Sequence, residues 1–268
     1  MNISALDDHQ KAAARFVEAR RAAQGFSDFP GPIPTDLDAA YRIQQATIAS
    51  WGDRIAGWKV GRIQPHLVEQ LGAERFMGPI FADSVSRAAE TNVFPMTAGG
   101  SALFEAEVVI LANADAPADK VQWTCEEAAE LIGAVHVGIE VAGSPLATIN
   151  DLPTTASIAG FGNNNGLILG AEVVDWRERG WDGIICRTTI DGVLVRESSA
   201  AMVPGGPLEV FAYALGEAAR RGVPLCRGDC ISTGAITGTP AIKIGQHCIA
   251  EFLGIATIYC KVTVAPGG

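Results

Sequence analysis

The sequence predicts an α+β protein in which a small helical N-terminal lobe precedes a β-rich catalytic domain. Three observations carry that prediction. Apolar residues at helical spacing dominate the first fifty positions and return in only three later segments. The remaining chain falls into short β-branched runs punctuated by glycine and aspartate. Those runs do not alternate regularly with helices, which disfavours a doubly wound parallel sheet.

Taken in order, residues 7–24 are Ala-, Arg- and Glu-rich, with Phe16 and Val17 at helical spacing, and the Gly/Pro stretch at 25–34 stops this helix. Thr35 reads as the N-cap of a second helix running to about Trp51, with Tyr41, Ile43 and Ile48 on its apolar side. Strands are expected over 55–61, 104–112, 133–142, 165–174, 183–198 and 256–264. Within 183–198, Asp191-Gly192 lies between two apolar runs and suits the type I′ turn of a hairpin. Helices are expected at about 124–131, about 146–156 and 206–221. The lobe is placed at 1–75, with a soft boundary between 52 and 95, and the catalytic domain at 76–268.

Composition narrows the function. Hydrophobic residues make up 48% of the 268 and charged residues 19%, a balance that supports a core and argues against disorder. The net charge of -10 disfavours nucleic acid and anionic membrane as partners. An acidic protein that takes an anionic substrate must make positive charge locally, and a bound divalent cation does so. The six cysteines form no C-x-x-C pair and read as reduced thiols. With no signal-type or membrane-length apolar run, a cytoplasmic location is expected.

The most informative stretch is Phe104 to Ile110, an apolar strand carrying Glu105 and Glu107. In a strand, residues two apart share a face, so both carboxylates converge on one spot. Burying two adjacent carboxylates is costly unless a cation neutralises them. Glu140 lies alone inside another apolar strand, and if the strands are neighbours, three carboxylates make a hard-oxygen site suited to Mg²⁺ or Mn²⁺. The alternative for the pair is a solvated outer face. Lys59, flanked by apolar residues and glycines in Gly57-Trp58-Lys59-Val60-Gly61, suits a carboxylate anchor or acid/base, and equally a surface lysine. Asp83, after an apolar loop, is a candidate proton-transfer group or a plain turn cap. Asn163, Asn164 and Asn165 between glycines form a tight loop rich in amide donors, or a turn using left-handed asparagines. Ser232 and Thr233 end a strand in small hydroxyl residues that can line a site. The chain has no G-x-S-x-G elbow, and His136 reads as a core histidine or one supporting Glu140.

With these motifs in order, the sequence resembles the 2-keto-4-pentenoate hydratase and 4-oxalocrotonate decarboxylase group of the fumarylacetoacetate hydrolase superfamily. The resemblance runs from about Asp36 to the C-terminus through GWKVG, GPIFADS, FEAEVVI, GIEVAGS, the asparagine loop, the Asp-Gly hairpin, STGAITG and the closing IKIGQHCIAEFLGIATIYCKV. It implies a mixed, rolled β-structure of the fumarylacetoacetate hydrolase C-terminal-domain type. It also implies Mg²⁺ or Mn²⁺ held by Glu105, Glu107 and Glu140, with Lys59 and Asp83 as catalytic residues. Asn163, Asn165, Ser232 and Thr233 then fall on substrate-lining segments. Two departures stand where the substrate's tail belongs: Arg62-Ile63-Gln64 after the lysine motif and Gly143-Ser144-Pro145 after the third glutamate. Arg62 is a candidate for binding a second substrate carboxylate. The implied reaction is metal-dependent hydration of a 2-hydroxy-2,4-dienoate to a 4-hydroxy-2-oxoacid in aromatic-compound catabolism. Decarboxylation of a 2-oxo-3-enedioate, or a role as a non-catalytic partner subunit, is the alternative. The resemblance further implies a homo-oligomer that can associate with a related pathway enzyme.

Overall fold

The computed structural model describes residues 7–267. Helix α1 (Asp8–Arg21) starts at a capping box: the Asp7 side chain accepts from the Gln10 amide and the Gln10 side chain accepts from the Asp7 amide. Helix α2 (Leu37–Trp51) is capped by Asp36, not Thr35: the Asp36 carboxylate accepts from the Ala39 amide, and a carboxylate there also meets the positive helix end. The two helices pack on each other and on short α5 (Thr154–Ala159).

Two sheets make up the rest. The first has seven strands: β1 (Ile55–Arg62), β2 (Arg75–Phe81), β3 (Val85–Arg87), β5 (Ser101–Ala112), β6 (Ile132–Ser144), β7 (Asn164–Glu172) and β10 (Cys230–Ala235), in the order β2-β1-β10-β5-β6-β7-β3. The second has five: β4 (Asn92–Met96), β8 (Ile185–Ile190), β9 (Val193–Ser199), β11 (His247–Phe252) and β12 (Ala256–Val264), in the order β4-β12-β11-β8-β9. Both are mixed, because β1 runs parallel to β10, β3 to β7 and β4 to β12 while the other pairs are antiparallel. The strand β1 lies inside the span expected as the lobe, yet it belongs to the larger sheet, paired with β2 and β10. Between β8 and β9, Asp191 and Gly192 both take positive φ, 48° and 79°, as a type I′ turn requires.

Four further helices lie between strands: α3 (Val68–Leu71), α4 (Cys125–Ala129), α6 (Trp176–Arg179) and the long α7 (Gly206–Arg220). The helix expected over 146–156 is broken. A 3-10 turn over Ile149–Asp151 ends at Leu152, which is extended (φ -94°, ψ 162°) because it precedes Pro153, and α5 begins only after that proline.

The faces of β5 and β6 separate core from site. Phe104, Ala106, Val108 and Ile110 of β5, with Val135, Val137, Ile139 and Val141 of β6, point into the main core between the two sheets and α7. The alternate residues point the other way. There the seven-stranded sheet curls on itself, so that Ile80 of β2, Val109 of β5, Leu167 of β7 and Cys230 of β10 meet in one buried cluster. This is the mixed, rolled β-structure expected from the sequence, and its inner face receives the glutamates. The backbones of β2 and of the turn before β7 nearly touch there: a Cβ on Gly78 would sit 2.6 Å from the Gly162 Cα, so only glycine fits.

Candidate active site

The antiparallel register pairs Glu105 of β5 directly with Glu140 of β6. Glu107, two residues on, shares the face of Glu105 and stands opposite Gly138, which has no side chain to fill the space between them. One oxygen from each carboxylate lies within 4.8 Å of the others. All three are buried, with exposures of 7%, 1% and 1%. Such placement follows from strand parity: any β5 that buries Phe104, Ala106 and Val108 in the main core must turn Glu105 and Glu107 into the roll.

Neighbouring strands supply the partners. In β10, next to β5, a bulge between Ser232 and Ala235 brings two donors onto one Glu107 oxygen: the Ser232 hydroxyl at 2.5 Å and the Gly234 amide at 2.8 Å. Gly234 takes φ +114°, a conformation that only glycine adopts without strain. From β7, the Asn164 side chain donates to Glu140 Oε1 at 3.0 Å. From β1, Lys59 Nζ lies 3.4 Å from Glu140 Oε2, and Lys59 is itself only 6% exposed. The Phe76 ring lies 5.4 Å from the same ammonium.

One ammonium among three buried carboxylates leaves two negative charges uncompensated, and the protonation equilibria show it. Burial, then the Glu140 charge, pushes the Glu105 carboxyl up to about 8, with Lys59 pulling the other way. Burial, followed by Glu140 and Glu105, holds the Glu107 carboxyl well above the carboxylate range despite the Ser232 and Gly234 bonds. Burial works to lower the Lys59 pKa, but the charges of Glu140, Glu105 and Glu107 outweigh it and hold it above its ordinary value. Hard oxygen donors carrying two surplus negative charges fit a divalent cation of the magnesium or manganese kind. The site opens into a cleft of about 540 Å³ lined by Lys59, Glu105, Asn163 and Thr233, with Arg62 and Arg75 also on its wall.

A family model described as fumarylacetoacetate (FAA) hydrolase C-terminal matches residues 62–263, most of the chain. The chain belongs to that family. Among curated relatives, it is 26% identical to a 2-keto-4-pentenoate hydratase of Paraburkholderia phymatum, covering 93% of this chain and 95% of that one. It is 28% identical to the TodF product hydratase of Pseudomonas putida F1, covering 93% of each. Among solved structures, 4-oxalocrotonate decarboxylase from Pseudomonas putida G7, complexed with magnesium and adipate, superposes with a TM-score of 0.76 at 19% identity, covering 95% and 97%. Fumarylpyruvate hydrolase from Pseudomonas aeruginosa, in complex with Mn²⁺ and pyruvate, gives 0.55 at 17% identity, covering 79% and 90%. These likenesses agree on the family fold.

Within this family member, the sequence-expected residues divide between two places. Lys59, Glu105, Asn163, Thr233 and Arg62 line the glutamate cleft, and Ser232 is bound to Glu107. The Asn163 side chain donates to Asn150 at 3.2 Å, while its Oδ1 is buried without a partner. Asp83 and Asn165 line a different cleft, with Arg20, Trp51 and Asp53. The reason is register. Gly78 pairs with Lys59, and β2 runs on to Phe81, about 10 Å further along the strand, before the turn that carries Asp83. There its amide donates to the Asp53 carboxylate at 2.9 Å, and its own side chain is exposed. Asn165 follows Asn164 by one residue, so the two point to opposite faces of β7, and Asn165 donates to the Pro95 carbonyl. His136 bonds the Gly170 carbonyl through Nδ1 at 3.1 Å and has no bond to the glutamates. Sequence reasoning did not single out Gly234 as a donor, Phe76 as a neighbour of Lys59, or Asn164 rather than its neighbours as the partner of Glu140. A register shift in β7 between Leu167 and Asn164, opposite Glu140 and Ala142, brings Asn164 to Glu140, and parity counted along the sequence carries no sign of it.

Proposed function

We propose that this chain is a metal-dependent hydro-lyase that hydrates a 2-hydroxy-2,4-dienoate to a 4-hydroxy-2-oxoacid. The observation that carries the reading is the buried Glu105, Glu107 and Glu140 cluster facing a cleft beside Lys59. The hydratase names of the relatives and the metal complexes of the structural neighbours support it. The three glutamates would hold Mg²⁺ or Mn²⁺, which when bound supplies Lewis-acid stabilisation of negative charge developing on the substrate's 2-oxygen.

The chain's own residues do the remainder. The Ser232 and Gly234 donors fix one Glu107 oxygen, and Asn164 fixes Glu140. Among the described residues lining the cleft, Lys59 is the one group outside the glutamates able to exchange a proton, since arginine stays protonated. Lys59 Nζ stands beside Glu140 on the cleft wall, where it is placed to exchange protons with a bound substrate. Lys59 therefore takes the 2-hydroxyl proton and returns one to the distal carbon. It next takes a proton from the water that adds at C4 and returns one to C3. The unpartnered Asn163 Oδ1 is an acceptor for a substrate hydroxyl or for the added water.

A second reading, loss of the distal carboxylate of a 2-oxo-3-enedioate, is favoured by the presence of Arg62 in the cleft. Purified protein with Mg²⁺ is mixed with 2-hydroxypenta-2,4-dienoate and with 2-oxo-3-hexenedioate, following ultraviolet loss and CO₂ release. Loss of the dienoate without CO₂ supports the hydratase. CO₂ from the diacid supports the decarboxylase, and turnover of either without added metal overturns the metal-dependent scheme. Self-association belongs to the same proposal: the edge strand β9 exposes Val193, Leu194 and Val195, an open apolar edge that a second copy would cover. Light scattering giving a mass of 28.0 kDa would refute it.

A further inference from the structure

The cleft that holds Asp83 and Asn165, about 440 Å³ in volume and so within the range of small-ligand sites, is lined by opposite charges that do not pair with one another. Its cation is Arg20, in the last turn of α1. The guanidinium carbon lies 4.8 Å from the centres of the Trp51 and Phe161 rings and 5.6 Å from that of Phe81, so three rings hold it in place. Of the five N–H donors that a guanidinium carries, one is used, in the bond to the Asn164 carbonyl. Arg20 makes no ion pair among the described residues. Burial draws its pKa down to about 10, with the Asp53 charge opposing the shift only in part.

The anions of the same cleft are turned elsewhere. Asp53 accepts from the Arg54 amide at 2.6 Å and from the Asp83 amide at 2.9 Å. Asp83 is exposed, and its side chain makes no hydrogen bond or ion pair among the described residues. Each aspartate follows a ring of the cage by two residues, Asp53 after Trp51 and Asp83 after Phe81, and the bond between them sets the two carboxylates together. Asn165 adds an amide oxygen: its Nδ2 donates to the Pro95 carbonyl, which leaves Oδ1 as an acceptor. Val93, Pro95 and Ile168 supply apolar wall.

A simple anion in this cleft meets the repulsion of two aspartates, and a simple cation meets that of Arg20. A molecule that carries both charges satisfies both. Its carboxylate takes two parallel hydrogen bonds from the guanidinium, and its ammonium faces the aspartates and the Asn165 oxygen. We propose that this cleft binds a zwitterionic α-amino acid with an apolar side chain, its carboxylate on Arg20 and its ammonium on Asp53 and Asp83. The site is separate from the glutamate cleft and does not rest on the reading of that cleft.

The test is binding rather than turnover. The full chain with Mg²⁺ present is titrated by calorimetry with three probes of similar size: L-phenylalanine, 3-phenylpropionate, which lacks the ammonium, and 2-phenylethylamine, which lacks the carboxylate. L-phenylalanine should bind roughly tenfold or more tightly than either, the affinity that a hydrogen bond to a charged group supplies. Arg20→Met should bring L-phenylalanine down to the affinity of 2-phenylethylamine. Asp83→Asn should cut its advantage over 3-phenylpropionate severalfold and leave 3-phenylpropionate itself bound no more weakly. Asp83 is exposed, so Asp83→Asn leaves the core intact and decides the matter even if Arg20→Met disturbs the three rings. Absence of L-phenylalanine binding, equal affinities for the three probes, or a preference that Asp83→Asn and Arg20→Met both leave unmoved overturns the site, while the glutamate cleft stands or falls by its own test.

Discussion

Two of the carboxylate-lined clefts of this molecule behave as different chemistry. In one, Glu105, Glu107 and Glu140 rise from the interiors of paired strands and are buried, and burial with the neighbouring charges holds the Glu105 and Glu107 carboxyls above the ordinary carboxylate range. In the other, Asp83 sits on a 3-10 turn beyond the end of β2, exposed, beside Asp53 and the Arg20 guanidinium. The difference lies in what surrounds the charge. A strand interior removes water from both sides of a carboxylate and leaves a cation as the natural compensation. A turn leaves water to do the same work at no cost. The two clefts are linked through the backbone before β7: Arg20 donates to the Asn164 carbonyl at 3.1 Å, and the Asn164 side chain holds Glu140. Arg20 itself lies over the Trp51 and Phe161 rings, each at 4.8 Å, and burial brings its pKa down to about 10.

The comparison breaks most sharply at Glu107. Replacing Glu107 with Gln should reduce turnover by well over a hundredfold, beyond what loss of an outer-shell partner typically costs. Mn²⁺ binding followed by paramagnetic resonance should weaken in parallel, while circular dichroism stays unchanged. Retained metal affinity in Glu107→Gln would remove Glu107 from the site.

A second, intermediate effect concerns pH. A carboxyl raised in the folded state stabilises the fold fully below its unfolded value and loses that contribution as pH rises through the folded value. For Glu105 that window runs from its ordinary 4.5 up to about 8, with Glu107 acting in the same sense. The metal-free protein should therefore lose thermal stability across this range, and added Mg²⁺ or Mn²⁺ should flatten the loss because the cation binds the ionised form. Melting temperatures measured at several pH values, with chelator and with metal, check this; a metal-free protein growing more stable toward pH 8 would contradict it.

The smallest expected effect is at Asp83. Its place in the second cleft predicts that Asp83→Asn changes turnover by no more than about twofold, the scale of a surface substitution. A loss of a hundredfold would mean that the two clefts work together in catalysis.

How much of this was legible in the sequence differs from element to element. The common face of Glu105 and Glu107 was legible because strand side chains alternate with a period of two. The Asp191-Gly192 hairpin was legible because few residues tolerate positive φ at both turn positions. The N-cap was misread by one residue because Thr35 and Asp36 are both good caps, and only the backbone decides which of them precedes the first helical turn. Asp83 was attached to the site through a motif, and a motif carries order along the chain but not distance across a sheet. Arg75 carries no signal in the sequence, because only the β1–β2 register sets it opposite Arg62.

The family resemblance implied the rolled β-structure, while the sequence by itself determined the α+β class and the fact that carboxylates would stand on apolar strands. Those properties are local or periodic, and the chain carries them wherever it goes. The tertiary structure alone decided that β6 lies beside β5 in the register that sets Glu140 against Glu105, that β10 bulges to aim Ser232 and Gly234 at Glu107, and that Asp83 and Asn165 face elsewhere. Strand order, register and bulges arise from long-range pairing and core packing, and a shift of one residue in any of them turns a buried carboxylate to the opposite face.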